Sequence, residues 1–389
     1  MFVKIKKQWI LLLVLAVVAL SVVGCGGNDQ PAVTPEPADD AVVFDGEIRI
    51  GVMLPMTGGM ASFGEDMFGA IQIAANEINA AGGILNREIV LILGDDAGDP
   101  ATAASAATFL VGQDVVAVVG GYSSGAVLPT LPIYADAQLP FVIASANSTM
   151  IAEQNQGWAF QMNSTGDYQA AKAIGWFDEL GAETIALVHM GDAFSQNLAH
   201  LTRDAWEAAG GEVVSYHVIA EGQHDFSAIV TSLRAADPDV VYWTAYYSEG
   251  APFIMQMRMG GFQAPIIVAD GSTSPRLLEI AGAAAEGIYA TAPPVVDFLP
   301  AAQGFIQAYV STFNRQPGAF AGLAYDSMRV MADAIERAGS DDPNAIRQAL
   351  VGTNFQGLAG NVSFTDRFTL YGSNFLILRA EDGAWTLVQ

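Results

Sequence analysis

Cysteine, histidine and basic residues are all scarce in this 389-residue chain, and each shortage excludes a class of protein. A single cysteine, Cys25, rules out an internal disulfide. The four histidines, His189, His200, His217 and His224, lack the spacing of metal ligands, so we predict no metal site and no cofactor. Only 16 lysines and arginines oppose 41 acidic residues, and the resulting charge of −25 argues against nucleic acid as a partner.

Long hydrophobic runs are also missing, apart from one near the start of the chain. The run from Trp9 to Leu20 follows three lysines and is shorter than the ~20 residues that span a bilayer. A basic segment followed by such a run is typical of a signal peptide. The segment ends in Gly24-Cys25, which resembles the bacterial lipobox, where the cysteine is lipidated. We therefore predict a signal peptide over 1–24 and a lipid anchor at Cys25; a plain signal peptide with an incidental cysteine is the alternative.

Residues 25–45 are rich in proline, alanine and acids, a composition that builds no core, and we interpret them as a flexible tether. Three of the 16 basic residues lie in the signal peptide. The mature chain therefore keeps 13 basic against 41 acidic residues, a net charge of −28. A solvated extracytoplasmic surface accounts for that charge.

The remaining 344 residues suffice for two lobes. From Glu47 onward, short apolar runs alternate with amphipathic segments such as the helix predicted over 64–81. Such alternation predicts an α/β fold with parallel sheets flanked by helices.

Two neighbouring strands each end in a small, hydroxyl-rich loop. The strand predicted over 115–119 leads into Gly121-Tyr122-Ser123-Ser124-Gly125, ahead of a helix predicted from Ala126. The strand predicted over 140–144 leads into Ser145-Ala146-Asn147. Ligands of open α/β sheets bind at the carboxyl ends of strands, and free N–H groups at a helix start suit an anion. The two loops together predict half of a small-molecule binding site.

Several further stretches, taken in order, resemble the type I periplasmic binding proteins of ABC importers, most closely the leucine/isoleucine/valine-binding branch. They are Ile48-Arg49-Ile50-Gly51-Val52, Phe63-Gly64, Ile78-Asn79-Ala80-Ala81-Gly82-Gly83-Ile84, Asp95-Asp96-Ala97-Gly98-Asp99-Pro100, Ile185-Ala186-Leu187-Val188-His189, Asp225-Phe226-Ser227 and Ala285-Glu286-Gly287. The resemblance covers nearly the whole mature chain. It implies two Rossmann-like lobes joined by three chain crossings, with the ligand in the cleft between them.

What the resemblance implies can be written residue by residue. Lobe 1 would comprise 46–165 plus 296–369, and lobe 2 would comprise 166–295 plus 370–389. The protein would be a monomeric, extracytoplasmic lipoprotein that captures a small amino acid, branched-chain or otherwise apolar, for an ABC permease. The residues matching the family's ligand-binding positions are Phe63, Tyr122, Ser123, Ser124, Ser145, Ala146, Asn147, Phe194, Tyr246, Asp270 and Phe320.

The matched residues divide by role. Ser124, beside Tyr122 and Ser123, matches the loop that receives the ligand carboxylate, and the loop of Ser145 and Asn147 would complete the site. Asp270 matches the acid that receives the ligand ammonium. The four aromatic rings would form walls suited to an apolar side chain, and they belong to Phe63, Phe194, Tyr246 and Phe320.

Some positions depart from the family pattern. Phe63 and Phe194 stand where the relatives carry tyrosines, and Asp270 is one methylene shorter than their glutamate. Gly98 and Ser123 occupy the places of a cysteine pair. In the ligand-free protein we expect an open cleft that leaves Asp270 hydrated.

Alternatives remain open. Gly121-Tyr122-Ser123-Ser124-Gly125 fits the G-x-S-x-G nucleophile elbow of a secreted esterase, although no histidine follows His224. The same fold could also bind an amide, urea or an organic acid, or act as a surface sensor. Asp270 could simply cap a turn. We interpret Asp95, Asp96 and Asp99 as loop caps, because an EF-hand needs a glycine and a closing glutamate that are absent.

Overall fold

The computed structural model describes residues 43–373 and 375–388. Its strands, in chain order, are β1 (Glu47–Leu54), β2 (Glu88–Asp95), β3 (Ala117–Gly120), β4 (Phe141–Ile143), β5 (Ala159–Gln161), β6 (Thr184–Met190), β7 (Glu212–Ile219), β8 (Val240–Trp243), β9 (Ile266–Val268), β10 (Tyr289–Ala292), β11 (Phe355–Gly357), β12 (Gly360–Val362), β13 (Leu376–Glu381) and β14 (Ala384–Leu387). Cys25, the signal peptide and most of the tether lie outside the described residues.

The α-helices are α1 (Ala61–Ala80), α2 (Pro100–Val111), α3 (Ser124–Val127), α4 (Thr130–Asp136), α5 (Thr149–Gln154), α6 (Gly166–Glu179), α7 (Ser195–Ala208), α8 (Ser227–Ala236), α9 (Tyr247–Met259), α10 (Pro275–Ala281), α11 (Gln303–Phe313), α12 (Ala321–Ala338) and α13 (Pro343–Val351). Among the described residues, no helix combines the length and apolarity that a membrane crossing needs.

Five parallel strands form the first sheet, in the order β2-β1-β3-β4-β5. Successive side chains of β1 point to opposite faces: Ile50 and Val52 pack with α1, whereas Met53 packs with α2 and α4. Because helices cover both faces, β1 is buried along most of its length. This sheet and its helices, including α11 and α12 packed on α1, form lobe 1.

The second sheet has seven strands, in the order β14-β13-β10-β9-β8-β6-β7. Its strands are parallel except for β13 and β14, which pair antiparallel at one edge. This sheet and its helices, from α6 to α10, form lobe 2. The chain passes between the sheets after β5, after β10 and before β13. The predicted class, two Rossmann-like α/β lobes, is confirmed; the exact predicted boundaries of the lobes stay predictions.

Local differences from the sequence-based expectations have physical causes. Helix α1 begins at Ala61, three residues before the predicted start at Gly64. Gly64 therefore lies inside the helix, where it packs against Pro55. A Cβ on Gly64 would lie 2.0 Å from the Pro55 carbonyl oxygen, so the close approach requires glycine. The helix predicted from Ala126 is two helices, α3 and α4, divided at Pro129, which has no N–H to donate.

Candidate functional site

The first loop of the site begins where β3 ends. Gly120 and Gly121 have positive φ angles of 114° and 76°. A Cβ on Gly120 would lie 2.4 Å from the Met53 carbonyl oxygen, so a side chain at this position is excluded. The turn brings Tyr122, Ser123 and Ser124 to the carboxyl edge of the sheet, where α3 begins.

The second loop follows β4 and is tied to the first. Ser145 Oγ donates to the Tyr122 carbonyl at 3.2 Å, and the Ser148 N–H donates to Ser124 Oγ at 3.2 Å. From behind, Gln161 Nε2 donates to the Ala146 carbonyl and Asn163 Nδ2 to the Ser145 carbonyl. The buried amides thus brace the second loop, and the two hydrogen bonds between the loops extend that support to the first.

Lobe 2 contributes three predicted residues at the carboxyl ends of its own strands. Phe194 follows β6, Tyr246 follows β8, and Asp270 follows β9 in a short 3₁₀ turn over Asp270–Ser272. A Cβ on the next residue, Gly271, would lie 3.0 Å from the Tyr246 ring and 3.1 Å from the Phe194 ring. This glycine therefore allows the two aromatic rings to pack directly onto the turn that carries Asp270.

These residues enclose a cavity of about 20 Å³, which we call the inner pocket. Its lining residues are Tyr122, Ser123, Ser124, Ser145, Ala146, Asn147, Phe194, Tyr246, Asp270, Gly271 and Phe320. The structure thus brings together every predicted site residue of the two lobes except Phe63. Ligand pockets in proteins measure about 300–1,000 Å³, so the inner pocket must enlarge to admit a ligand.

Phe63 lies behind the lining. Its ring stacks on Tyr122 with centroids 4.7 Å apart and meets Phe320 edge-on at 5.5 Å, while Tyr122 and Phe320 are 5.4 Å apart. Two of the four predicted aromatic walls, Phe63 and Phe320, therefore pack against each other and against Tyr122. The Tyr122 hydroxyl is buried without a hydrogen-bond partner among the described residues.

Asp270 provides the carboxylate of the inner pocket, and the residue is 3 % exposed. Gln169 Nε2 donates to its Oδ1 at 3.0 Å, and Asn147 Nδ2 lies 3.4 Å from its Oδ2. Burial raises the pKa of Asp270 to about 7, against the lowering effect of hydrogen bonds from Gln169 and the Gly271 N–H. Among the described residues no lysine or arginine forms an ion pair with it.

The expectation of an open cleft with a hydrated Asp270 is wrong for this structure. The lobes touch on both sides of the pocket. Tyr247 Oη of lobe 2 lies 3.1 Å from Ser62 Oγ and donates to the Gly59 carbonyl of lobe 1. On the other side, Asn197 Nδ2 donates to Thr149 Oγ1 at 3.1 Å. Because the lobes are closed, Asp270 is removed from water.

Sequence reasoning missed two polar residues that support the site. Gln169 of α6 accepts from Asn147 Nδ2 at 2.8 Å and donates to Asp270 and to Thr291 Oγ1. Asp192 accepts at one oxygen from the Phe194 N–H at 2.9 Å and from Tyr246 Oη at 3.1 Å. The only signal for Gln169 was a polar residue on the buried face of a helix, beside Ala170 and Ala173.

Trp243, at the end of β8, is fully buried behind the pocket. Its indole Nε1 donates to the Tyr246 carbonyl at 3.3 Å, and its ring stacks on Phe253 with centroids 4.6 Å apart. The indole thus holds the residue that forms one wall of the inner pocket.

The prediction that the acidic loop after β2 provides caps is confirmed. Asp95 Oδ1 accepts from the N–H groups of Met56 and Ala97, Asp96 Oδ1 from that of Gly98, and Asp99 caps α2 through the Thr102 N–H. Within the described residues, no group of three metal-ligating side chains occurs.

Histidines of lobe 2 have contacts of their own. His189 is buried, with Nδ1 2.7 Å from the Met190 carbonyl and its ring against Tyr216. His217 Nε2 lies 2.8 Å from Ser215 Oγ. These contacts lie within β6 and β7, whereas Ser123 lies on the loop after β3.

A family model described as periplasmic binding protein matches residues 47–384. The chain belongs to the periplasmic binding protein family. The resemblance predicted from its sequence, to type I members of the leucine/isoleucine/valine-binding class, is confirmed by this match and by the solved structures that the chain resembles.

Two solved structures resemble this periplasmic binding protein along almost its whole length. A leucine-binding protein of Thermotoga maritima is 28 % identical with a TM-score of 0.82, covering 88 % of this chain and 98 % of that one. A branched-chain amino acid transporter substrate-binding protein of Streptococcus pneumoniae, in complex with isoleucine, is 28 % identical with a TM-score of 0.81, covering 87 % and 97 %.

Two curated relatives are also similar to this chain in sequence. An amino acid binding protein of Pseudomonas aeruginosa is 29 % identical over 340 residues, 86 % of this chain and 91 % of its own length. A Leu/Ile/Val-binding protein homolog of Brucella melitensis is 30 % identical over 340 residues, 87 % and 92 %. The periplasmic binding protein described above therefore spans nearly the full length of proteins that carry these names.

Proposed function

We propose that this protein captures a small amino acid in the inner pocket and delivers it to an ABC permease, without catalysing a reaction. The observation that carries the proposal is that the two lobes line the pocket with groups of different charge. Lobe 1 offers hydroxyl, amide and backbone N–H groups, and lobe 2 offers the buried carboxylate of Asp270.

That polarity suits a zwitterion. Ser123 and Ser124 lie at the start of α3, where free N–H groups and hydroxyls favour a carboxylate. Asp270 favours an ammonium, since a buried carboxylate without an ionic partner is unstable and gains most from a cation. In this proposal Ser145, Ala146 and Asn147 complete the polar half of the pocket. Phe194, Tyr246 and Phe320 provide its apolar walls, and Phe63 supports them from behind.

Relatives support the class of ligand. The Thermotoga maritima relative is named for leucine and the Streptococcus pneumoniae relative was solved with isoleucine. Branched-chain amino acids are therefore the first ligands to test. The permease as partner follows from the name of the latter, a transporter substrate-binding protein.

Localisation belongs to the same proposal. A protein that collects solute for an importer works outside the cytoplasm, and a lipid on Cys25 would keep it near the permease. Cys25→Ser should release the protein from the membrane fraction. Retention of the variant in washed membranes would contradict the anchor without touching the ligand proposal.

One observation favours a second candidate, a neutral amide. At neutral pH a carboxyl with a pKa of about 7 is partly protonated and can donate a hydrogen bond to an amide oxygen. Amides and small organic acids therefore belong in the same screen.

A thermal-shift screen of the purified protein against amino acids, their amides and small organic acids tests the proposal. A ligand at 100 times its dissociation constant adds about 2.7 kcal/mol of apparent stability. Branched-chain amino acids should give the largest shifts. Stabilisation by amides alone would move the assignment to the second candidate.

The esterase alternative has its own assay. The parent protein should show no steady turnover of a nitrophenyl ester, and Ser123→Ala should change nothing in that assay. Turnover that disappears in Ser123→Ala would replace the binding function by an enzymatic one.

A further inference from the structure

Two consecutive tyrosines at the start of α9 contact different lobes. Tyr246 lines the inner pocket, and its Oη donates to Asp192 Oδ1 of its own lobe at 3.1 Å. Tyr247, the first residue of α9, is half-buried, and its Oη reaches lobe 1 across the cleft. One tyrosine therefore lines the pocket, and its neighbour in the chain joins the two lobes.

The Tyr247 hydroxyl makes two hydrogen bonds to lobe 1. It donates its single hydrogen to the Gly59 carbonyl at 3.2 Å. Its oxygen lies 3.1 Å from Ser62 Oγ and can accept the hydrogen of that hydroxyl. Ser62 is the second residue of α1, and Gly59 lies two residues before this helix. Because one hydroxyl bonds to both groups, separation of the lobes breaks the two bonds together.

The ring of Tyr247 packs against Phe63 of lobe 1. Their centroids are 5.6 Å apart and their planes are inclined by 73°, an edge-on contact that aromatic pairs favour. Phe63 also stacks on Tyr122, which lines the inner pocket. Phe63, predicted from the sequence as a wall of the pocket, thus connects the pocket lining of lobe 1 with a ring of lobe 2.

Tyr247 itself is not among the described residues that line the inner pocket. A larger cavity beside that pocket, of about 390 Å³, is lined by Tyr246 and Ser248 but not by the tyrosine between them. Any effect of Tyr247 on a ligand in the inner pocket must therefore act through the closed arrangement of the lobes, and not through a contact with the ligand.

We propose that Tyr247 is a positioning residue that controls how long the closed site retains its ligand. A bound amino acid leaves only when the lobes separate, and separation breaks the bonds of the Tyr247 hydroxyl to Gly59 and Ser62. This inference rests on the proposed function and goes beyond it, because it assigns the rate of release to a residue outside the pocket. The bonds are the same whichever amino acid is enclosed, so their loss should speed the release of every ligand by one common factor.

Tyr247→Phe tests the inference, because it removes the hydroxyl and keeps the ring against Phe63. Stopped-flow fluorescence measures the dissociation rates of L-leucine, L-isoleucine and L-valine. All three should rise by about three- to tenfold, the effect of one or two hydrogen bonds between neutral groups. The ratios between the three rates should stay within about twofold of those of the parent.

Tyr216→Phe is the matched control. Tyr216 lies in lobe 2 on β7, and its hydroxyl has no hydrogen-bond partner among the described residues. This variant also loses one tyrosine hydroxyl from lobe 2, but it leaves the contacts between the lobes in place. Its three dissociation rates should stay within about twofold of those of the parent.

Ser62→Ala tests the partner on lobe 1. It removes the hydroxyl that faces Tyr247 and leaves the Gly59 carbonyl, so release should accelerate by a smaller factor than in Tyr247→Phe. In the double variant, release should be no faster than in Tyr247→Phe alone, because the two changes remove the same bond. Factors that multiply in the double variant would contradict the bond between these residues.

The remaining outcomes separate this inference from the proposed function. Dissociation rates in Tyr247→Phe equal to those of the parent, an increase confined to one amino acid, or an equal increase in Tyr216→Phe would overturn the role of Tyr247 and leave the proposed function standing. Failure of the parent to bind any of the three amino acids would overturn both.

Discussion

Lobe 1 lines the inner pocket with neutral side chains, those of two hydrogen-bonded loops and of Phe320, whereas lobe 2 lines it with two aromatic rings and the carboxylate of Asp270. In lobe 1 the backbone of the two loops is held by hydrogen bonds within that lobe, whereas the Asn147 amide donates to Gln169 of lobe 2. The carboxylate of lobe 2 is held across the cleft by Asn147 of lobe 1 and within its own lobe by Gln169 of α6.

The difference indicates how the two halves would act. The two loops of lobe 1 keep their backbone arrangement whether the cleft is open or closed, because the hydrogen bonds that join and brace them lie within lobe 1. Asp270 loses water only when the lobes meet, so its charge becomes costly at closure. A cationic group on the ligand offsets that cost, and in this proposal ligand binding and closure are therefore linked through lobe 2.

Among the variants that test this difference between the lobes, Asp270→Asn should have the largest effect on ligand affinity. The variant keeps the shape and a carbonyl acceptor but loses the charge, and removing one partner of a buried charge pair costs about 2–5 kcal/mol. We expect affinity for a branched-chain amino acid to fall by about 30-fold or more, whereas a deaminated analogue loses little. Calorimetric titration measures both.

A matched control for Asp270→Asn is Asp326→Asn. Asp326 is also buried, and burial raises its pKa to about 6, but it lies in α12 and accepts from the Leu358 N–H away from the pocket. This variant should bind with the parent's affinity. Equal affinities of the parent and Asp270→Asn would remove Asp270 from the site.

The pH dependence of ligand binding tests the role of the lobe 2 carboxylate further. Because the pKa of Asp270 is raised to about 7, the closed, ligand-free protein holds a proton there below neutral pH that an ammonium ligand must displace. Affinity should be constant above pH 7 and fall by up to about tenfold per unit below it. Stability of the ligand-free protein should change in the opposite direction, rising as pH falls from 7 towards 4, since the folded state then binds the extra proton.

Titration at pH 8 and at pH 6 in buffers of different ionisation enthalpy measures the proton released. Asp270→Asn should show no such release. If the parent protein binds the ligand with the same affinity at pH 8 and at pH 6, Asp270 is hydrated before the ligand arrives and the free protein is open.

On the lobe 1 side, Ser124→Ala should have a smaller effect. The change removes one hydroxyl that would face the ligand carboxylate and the acceptor of the Ser148 N–H. One hydrogen bond contributes about 0.5–1.5 kcal/mol, so affinity should fall by roughly two- to tenfold. Ser105→Ala, which removes an exposed hydroxyl bonded to the Ala101 carbonyl, is the control for loss of a serine. A loss of affinity as large as that expected for Asp270→Asn would contradict the larger role that we assign to lobe 2.

The smallest effect is expected from Tyr122→Phe. Its hydroxyl is buried without a partner among the described residues, so removing it should stabilise the ligand-free protein by about 1 kcal/mol. Urea unfolding measures this. Tyr216→Phe in lobe 2, whose hydroxyl is likewise without a partner among the described residues, is the matched variant. A clear destabilisation by Tyr122→Phe would indicate a water-mediated bond at that hydroxyl.

Much of this architecture could be predicted from the sequence, because apolar strands and amphipathic helices alternate with strong local signals. Val118 and Val119 lie in a strand and Met67 and Ile71 on a buried helix face, as their patterns indicate. The positions of the polar loops follow from the rule that parallel strands end at one edge. Short elements such as β5 and α5 were not predicted, since three to six residues carry little periodicity.

The supporting residues of the site were harder to predict. Gln169 reaches Asn147, and Asp192 reaches Tyr246, only through tertiary packing; the one local contact is that of Asp192 with the Phe194 N–H. The closed arrangement of the two lobes could not be predicted from the sequence for a different reason. Whether two lobes meet depends on a few polar contacts, such as Ser62 with Tyr247, whose partners are 185 residues apart.

The position of Trp243 gives the molecule an optical reporter. Its indole N–H donates to the carbonyl of Tyr246, a residue that lines the inner pocket. A ligand that displaces Tyr246 alters the hydrogen bond and the surroundings of a fully buried fluorophore. Emission changes on titration that vanish in Trp243→Phe would therefore follow occupancy in real time, without a label and at protein concentrations far below those that calorimetry requires.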